Sequence, residues 1–184
     1  MIKKCPKCGS TRIAPILYGM PAFDAELQPE DHCFACGKDV ASPPVFLSKK
    51  YGLEDYRDVV TEVRFRDGGF FQGFNDVRIR KKDGKITLDV QPNLHSDGHP
   101  VQREMKPSEW KKLLDRLYCK LYLHEWKKNF EDWTIMDGEQ WILNVRLTNG
   151  RVRTYHGSNN FPPYWDELLA VFKPFLDETE APCG

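Results

Sequence analysis

The sequence predicts an α+β fold, in which a small cysteine-rich unit precedes an antiparallel sheet with two helices packed on one face. Three observations support this expectation: a pair of CxxCG motifs near the N-terminus, two strong hairpin turns, and two proline-initiated amphipathic segments after the hairpins. Helices segregated to one face of an antiparallel sheet are the arrangement of α+β domains. The expected units are a cysteine-rich unit over 1–40, a linker and unassigned segment over 41–59, an α+β domain over 60–177 and a tail over 178–184.

The four N-terminal cysteines form two copies of one motif, which are Cys5-Pro6-Lys7-Cys8-Gly9 and Cys33-Phe34-Ala35-Cys36-Gly37. The spacing lets both sulfurs of a copy turn toward one point, and glycine can take the positive φ that a tight knuckle needs. Two knuckles supply the four thiolates of a closed tetrahedral zinc shell, with no position left open for water or substrate. We therefore expect a zinc ribbon with one structural Zn²⁺ per chain, held by Cys5, Cys8, Cys33 and Cys36.

Other states of these cysteines are two disulfides or four free thiols. The N-terminal residues lead into the first knuckle without an apolar signal region, so we expect a reducing, cytoplasmic location. His32 lies beside Cys33 and would allow a Cys3His site, but four cysteines already fill the shell. Cys119 and Cys183 belong to no such motif.

The overall composition excludes the simplest functional classes. Lysine plus arginine and aspartate plus glutamate number 27 each, so the net charge indicates neither nucleic acid nor an anionic membrane as a partner. No apolar run approaches the roughly 20 residues that span a bilayer. The 184 residues leave room for a small ribbon and for one domain with its own hydrophobic core.

The linker Ala41–Pro44 separates the two predicted cores, so a chain that begins near Val45 should fold without zinc. From Thr61 onward, the segment 62–66 alternates charged and apolar residues, which is typical of a half-buried strand. The glycine-rich segment 67–74 fits neither the dinucleotide-binding spacing nor the P-loop spacing, so we expect a turn there.

Two dipeptides, Asp83-Gly84 and Asn149-Gly150, are strong signals for two-residue hairpin turns, and each fixes a register. The first register pairs Ile79 with Leu88, Val77 with Val90, Arg78 with Asp89 and Arg80 with Thr87. The second register pairs Leu147 with Val152, Val145 with Thr154, Leu143 with His156, Arg146 with Arg153 and Asn144 with Tyr155.

A helix is expected after each hairpin, because proline suits a first helical turn and apolar residues then recur on one face. The first helix begins near Pro107 and the second near Pro163. Their predicted buried faces are Trp110, Leu113, Leu114, Leu117 and Leu121, and Trp165, Leu168, Leu169 and Phe172. A further strand before Pro107 completes a sheet of about four to six strands. The segment 121–130 either extends the first helix or forms a separate element.

Three blocks of the α+β segment resemble an uncharacterised bacterial protein family that joins such a domain to CPxCG ribbons. The blocks are Leu-Tyr-Leu-His-Glu-Trp-Lys-Lys at 121–128, Asp-Gly-Glu-Gln-Trp at 137–141 and Tyr-His-Gly-Ser-Asn-Asn-Phe-Pro-Pro-Tyr-Trp at 155–165. The resemblance covers most of residues 60–176 and implies an α+β fold, but no activity. The ribbon also resembles the large zinc-ribbon class, whose members bind nucleic acids or proteins or brace a fold.

An enzyme of unassigned class, with a site around His156 and the Gly157–Asn160 loop, is the alternative interpretation. His124-Glu125 does not complete a metalloprotease motif, because the required second histidine is replaced by Lys128. The predicted register places His156 on the apolar face opposite Leu143, which favours a hydrogen-bonded core histidine. The 157–160 loop has the composition of a segment that caps the following helix.

The remaining signal is an arginine-rich face of the sheet, on the side away from the helices. Glu62 and Asp89 are the clear acids on that face, and Arg146 opposite Arg153 would place like charges across a ladder at a cost in stability. A solvated face whose arginines pair with loop carboxylates is the ordinary alternative. We expect a non-catalytic binding module that docks nucleic acid or an acidic protein. Its expected contact residues are Arg64, Arg66, Arg78, Arg80, Arg146, Arg151 and Arg153.

Overall fold

The computed structural model describes residues 4–5, 8–16, 30–33, 35–36, 38–40, 46–49, 52–69, 71–131 and 138–180. The predicted linker Ala41–Pro44, the knuckle residue Gly37 and Cys183 lie outside these residues. Of the helices that are described, none combines the length and the apolar composition needed to cross a lipid bilayer.

The described residues form a mixed α/β fold with twelve strands and three α-helices. The strands are β1 (Ile13–Ile16), β2 (Glu30–Cys33), β3 (Lys38–Val40), β4 (Phe46–Lys49), β5 (Gly52–Asp55), β6 (Val60–Gly69), β7 (Gly73–Lys82), β8 (Lys85–Gln91), β9 (Val101–Glu104), β10 (Asn129–Glu131), β11 (Glu139–Leu147) and β12 (Val152–Ser158). The helices are α1 (Tyr56–Val59), α2 (Pro107–Asp115) and α3 (Trp165–Asp177), with a π-helical turn over Arg116–Lys120 and 3-10 turns over Leu123–Glu125 and Glu178–Glu180.

The main sheet has seven strands in the order β10-β12-β11-β6-β7-β8-β9. The predicted number of four to six strands is therefore too low. The extra strand is β10, which pairs in parallel with β12, while the other neighbouring strands are antiparallel. Three residues are too few to show an alternating pattern, so the sequence of the segment 121–130 did not reveal this strand. Smaller sheets are formed by β1-β2-β3 and by β4-β5.

The first predicted hairpin register is confirmed. Strands β7 and β8 pair Ile79 with Leu88 and Arg78 with Asp89, as expected. Asp83 and Gly84 adopt φ angles of 51° and 78° between the strands, and two consecutive positive φ angles are the signature of the twisted turn that Asp-Gly favours. A local turn signal therefore set this register.

The second predicted register is wrong by one residue. Leu147 donates its N–H to the Arg151 carbonyl at 2.8 Å, and Gly150 donates to the Leu147 carbonyl at 2.9 Å. The loop thus holds three residues, with Gly150 at a φ of 79°, which is the turn-plus-bulge alternative to a two-residue loop. The observed pairs are Arg146 with Val152, Val145 with Arg153, Asn144 with Thr154, Leu143 with Tyr155 and Ile142 with His156.

The shifted register moves two predicted residues to the other face of the sheet. Directly paired residues share a face, and Val145 and Leu143 are fully buried. Arg153, opposite Val145, therefore lies on the core-facing side and not beside Arg146. His156, opposite Ile142, lies on the outer side, so its predicted place opposite Leu143 is also wrong.

Both long helices cover one face of the sheet. Arg103 shares the core face with its partner Leu88, and it donates to Glu109 on α2 at 3.0 Å and to Glu178 after α3 at 2.8 Å. Phe65 of β6 stacks on Phe172 of α3 with ring centroids 4.5 Å apart. The predicted helix residues Trp110, Leu113, Leu114, Leu117, Leu121, Leu168 and Phe172 are all buried, and Trp165 and Leu169 are partly buried.

The previously unassigned segment before β6 is anchored to α2. Its last turn, α1, brings the buried Tyr56 ring within 4.8 Å of the Tyr118 ring in a stacked geometry. The Tyr56 hydroxyl donates to Asp115 at 2.7 Å. Within this segment, the turn Tyr56–Val59 is therefore part of the α+β core.

Candidate functional site

The backbone around Cys5 forms a tight knuckle. The N–H of Gly9 donates to the Cys5 carbonyl, and the N–H of Cys5 donates to the Ser10 carbonyl, both at 2.8 Å. Gly9 adopts a φ of 74°, which glycine accepts without the steric cost that a side chain would bring. The second cysteine pair enters from β2, where Cys33 pairs with Ile13 on β1 and with Lys38 on β3.

The four cysteine sulfurs form one cluster. Cys5 Sγ lies 3.7 Å from Cys36 Sγ, and Cys8 Sγ lies 3.6 Å from Cys33 Sγ; all four sulfurs lie within 4.8 Å of one another. Metal–sulfur bonds of about 2.3 Å in a tetrahedron would separate sulfurs by about 3.8 Å. A disulfide would bring two sulfurs to about 2.0 Å, and none of these four cysteines is disulfide-bonded. The cluster therefore has the donors and the size to hold a metal ion.

The protonation chemistry of Cys33 suits a metal ligand. Burial opposes ionisation of this thiol, but the backbone N–H groups of Ala35 and Cys36 favour the thiolate and lower the pKa to about 6. The thiolate is the form that binds metals. Among the residues that the structure describes, these cysteines are the one group of three or more potential metal ligands.

The cysteine cluster is attached to the start of α3. The Lys4 N–H, one residue before Cys5, donates to the Tyr164 hydroxyl oxygen at 2.8 Å. The Tyr164 hydroxyl in turn donates to the Lys4 carbonyl. A side chain added at Gly9 would contact the Pro163 ring at 3.8 Å. The cluster and the α+β core therefore share a packed boundary.

The outer face of the sheet carries an ion-pair network centred on Glu62. This carboxylate accepts from Arg78 at 3.2 Å and from Arg80 at 3.0 Å, and Arg146 lies 3.9 Å away. The Glu62 side chain is only 10% exposed. Burial alone would raise its pKa, but the hydrogen bonds from Arg78 and Arg80 lower it. Glu62 is therefore held ionised among three guanidinium groups.

A second acid on this face, Asp76, was missed in the sequence. Its carboxylate accepts a bidentate pair of hydrogen bonds from the Arg64 guanidinium, and its Oδ2 atom lies 3.5 Å from Arg66 Nε. The Arg66 guanidinium also lies 4.8 Å from the centre of the Phe74 ring. Asp76 shares the even-numbered parity of Arg78 along β7, a signal that would have placed it on this face. The arginines of this face therefore pair with carboxylates on the strands, Glu62 and Asp76, and not with carboxylates in loops.

The outer face of the sheet has a depression of about 350 Å³ beside Glu62. Its charged lining comprises one carboxylate, Glu62, and five cations, which are Arg78, Arg80, Lys81, Lys82 and Arg146. Of the other predicted contact residues, Arg151 is exposed beside the β11–β12 turn and Arg153 lies on the opposite face. The positive charge is therefore concentrated where β6, β7 and β11 meet.

The loop after His156 forms a crowded packing corner. The Trp141 indole N–H donates to the Asn160 carbonyl at 3.0 Å. A Cβ at Gly157 would come within 2.4 Å of both Trp141 Nε1 and the Asn160 carbonyl oxygen. Packing therefore requires glycine at 157. This structural requirement explains one residue of the Gly157–Asn160 loop that the alternative interpretation assigned to an enzyme site.

Comparison of the chain with protein-family models, with curated proteins and with solved structures found no match. Of the features behind the resemblance to a bacterial ribbon family, the four-cysteine cluster is the one that the structure supports.

Proposed function

We propose that the chain is a non-catalytic zinc-ribbon module whose outer sheet face docks an anionic partner, nucleic acid or an acidic protein. The observation that carries this proposal is the sharing of one carboxylate, Glu62, among three arginines. Within this group three positive charges share one negative charge, and Lys81 and Lys82 add two more positive charges. The other acid predicted for this face, Asp89, lies opposite Arg78 and accepts a hydrogen bond from Gln102 at 2.8 Å. A bound phosphate or carboxylate would supply the missing negative charge.

The zinc ion has a structural role in this proposal. Cys5, Cys8, Cys33 and Cys36 fill a four-coordinate shell with thiolates, a set that suits zinc or an iron–sulfur cluster. Two CxxC pairs on short knuckles favour zinc. When bound, the ion would cross-link the two knuckles. It would not activate a water molecule, because four thiolates leave no open coordination position.

Arginine is suited to the docking role. Its planar guanidinium presents paired donors that match phosphate and carboxylate oxygens. The side chains of Arg80 and Arg146 are 42% and 48% exposed. Both can therefore contact a partner without a rearrangement of the sheet. The predicted Arg146–Arg153 repulsion no longer supports the proposal, since Arg146 is opposite Val152.

The test is a double variant, Arg80→Gln with Arg146→Gln, measured against short single-stranded and duplex DNA and RNA across a salt series. Each phosphate that the variant no longer neutralises should reduce the salt-dependence slope by about 0.7 on single strands and about 0.9 on duplexes. Lys128→Gln with Lys173→Gln removes two exposed charges outside the lining of this depression and serves as the control. Wild-type binding at low salt that the double variant leaves unchanged would remove nucleic acid as the partner of this face.

A further inference from the structure

A second basic surface lies on the helix side of the molecule, where it lines a depression of about 500 Å³. We call it the α2 surface; its cations are Arg57, Lys111, Lys112, Arg116 and Lys120, and Ser108, Asp115 and Cys119 complete the lining. Because α2 packs on the covered face of the main sheet, this surface and the Glu62 depression lie on different sides of the molecule.

The cations of the α2 surface are less compensated than those of the sheet. The lining contains one carboxylate, Asp115, which already binds Arg57 at 2.9 Å and accepts the Tyr56 hydroxyl hydrogen bond. The charge of Lys111 also contributes to lowering the pKa of Asp115, but among the described residues no carboxylate lies within 4.0 Å of the charged groups of Lys111, Lys112, Arg116 or Lys120. On the outer sheet face, by contrast, Arg64, Arg66, Arg78, Arg80 and Arg146 all lie in ion pairs.

The spacing of these cations works against the helix that carries them. Lys112, Arg116 and Lys120 follow one another at intervals of four residues. Lys112 and Arg116 are four residues apart at the end of α2, and like charges at this spacing destabilise an α-helix by a few tenths of a kcal/mol; Arg116 and Lys120 lie in the π-helical turn that follows. An anion bound along the row would relieve this repulsion.

The shape of the row indicates what kind of anion fits. The cations from Lys111 to Lys120 extend along α2 and the π-helical turn that continues it, so they form a line rather than a pocket for one small ion. The apolar side chains of α2, such as Leu113 and Leu114, are buried in the core. The helix therefore offers no apolar side for insertion into a lipid surface.

We propose that the α2 surface binds the phosphate backbone of a nucleic acid. A linear polyanion matches an elongated row of uncompensated lysine and arginine side chains, and its binding releases counterions. Nucleic acid is also one of the partners proposed for the outer sheet face. The two proposals are otherwise independent, because the α2 surface can bind nucleic acid whether or not the sheet face does.

The experiment compares the triple variant Lys111→Gln, Lys112→Gln and Lys120→Gln with the wild-type full-length chain. Affinity for short single-stranded and duplex oligonucleotides is measured across a salt series. We expect affinity at low salt to fall about tenfold or more, and the salt-dependence slope to decrease by about 2 on single strands.

Three controls separate charge from folding. The triple Lys→Arg variant at the same positions keeps the charge and should keep the binding. Lys127→Gln, Lys128→Gln and Lys173→Gln remove three charges from exposed residues outside both depressions and should have a smaller effect. The melting temperature of the triple Gln variant should equal or exceed that of the wild type, because repulsion along α2 is relieved.

The outcomes distinguish this proposal from the one for the outer sheet face. Loss of binding in the α2 variant alone supports the α2 surface and removes nucleic acid as the partner of the sheet face. Loss of binding in the Arg80 and Arg146 variant alone overturns the α2 proposal. It is also overturned if the wild-type chain binds no oligonucleotide at low salt, or if phosphatidylserine vesicles but not oligonucleotides depend on these lysines.

Discussion

At the scale of single residues, Asp67 is a carboxyl group in an unfavourable position. It lies on the core-facing side of β6, opposite Asn75 on β7 and Trp141 on β11. Its Oδ1 atom is buried without a hydrogen-bond partner in the described part of the chain. Burial raises its pKa from 3.8 to about 6; a hydrogen bond from Asn75 opposes this rise, and the charge of Glu139 adds to it.

We expect Asp67→Asn to stabilise the protein near neutral pH. The pKa is higher in the folded state than in the unfolded chain, so the wild-type free energy of unfolding should fall as the pH rises from about 4 to about 6. Asparagine does not titrate, so the variant should be more stable by up to about 3 kcal/mol at pH 7 and show little advantage below pH 4. Urea unfolding at both pH values checks this, with exposed Asp97→Asn as the control. An equal effect at the two pH values would contradict it.

The cysteine cluster gives a second prediction at this scale. If the cluster holds the proposed zinc ion, Cys33→Ser should reduce the zinc content from one ion per chain to near zero, because the buried Cys33 is one of the four proposed ligands. Elemental analysis of the purified protein measures this content. Cys119→Ser is the matched control, since Cys119 contacts the Tyr56 hydroxyl at 3.0 Å and belongs to no cluster. Full zinc content in the Cys33 variant would exclude the proposed shell.

At the scale of elements, the β11–β12 hairpin shows how a core can override a turn signal. Asn-Gly is compatible with a two-residue loop and with a three-residue loop that ends in a left-handed glycine. The observed register buries Tyr155 opposite Leu143 and places Gly157 opposite Trp141. The indole of Trp141 occupies the space that a side chain at position 157 would need. This fit depends on packing across the sheet, so the turn sequence alone does not indicate it.

Gly150→Ala should destabilise the protein by about 1 kcal/mol. A Cβ at Gly150 would meet nothing within 4 Å, so the expected cost comes from its φ of 79° and not from a clash. Asparagine at 150 should cost less, because it tolerates left-handed φ angles better than alanine. Thr148→Ala, in the same exposed loop, is the control. Thermal unfolding measures these differences; an alanine variant as stable as the wild type would show that the loop adopts another turn.

At the scale of the whole molecule, the cysteine cluster and the α+β domain meet at Tyr164. Its hydroxyl both accepts from and donates to the Lys4 backbone, while Cys5 beside it is fully buried. A chain beginning at Val45 would retain the seven-stranded sheet but would lack these hydrogen bonds. The two units are therefore expected to fold separately and to stabilise each other.

Tyr164→Phe tests this coupling. In the full-length chain the variant should lose about 1 kcal/mol of unfolding free energy, because two backbone groups of Lys4 lose a partner. In a chain that starts at Val45, the same change should have almost no effect, since Lys4 is absent. Zinc content should not change in the full-length variant. Equal losses in both chains would show that the hydroxyl acts within the α+β domain alone.

The sequence by itself determined the features that depend on a few neighbouring residues. The CxxCG spacing predicted the sulfur cluster, Asp83-Gly84 predicted the β7–β8 register, and apolar periodicity predicted the buried face of α2. The register and the helix face follow from turn geometry and from the helical repeat, which act over less than ten residues. The cluster joins two knuckles whose paired cysteines are 25 and 31 positions apart, and it could be predicted because a four-thiolate shell needs both local motifs.

Only the tertiary structure decided the features that depend on distant segments. The β11–β12 register followed from packing of Trp141 over Gly157, and β10 became a strand by pairing with β12. Arg57 joined the lysines of α2 because α1 packs against that helix. The contacts responsible join residues separated by up to about 60 positions, for which a local pattern carries no signal; their positions are set by the burial of the shared core.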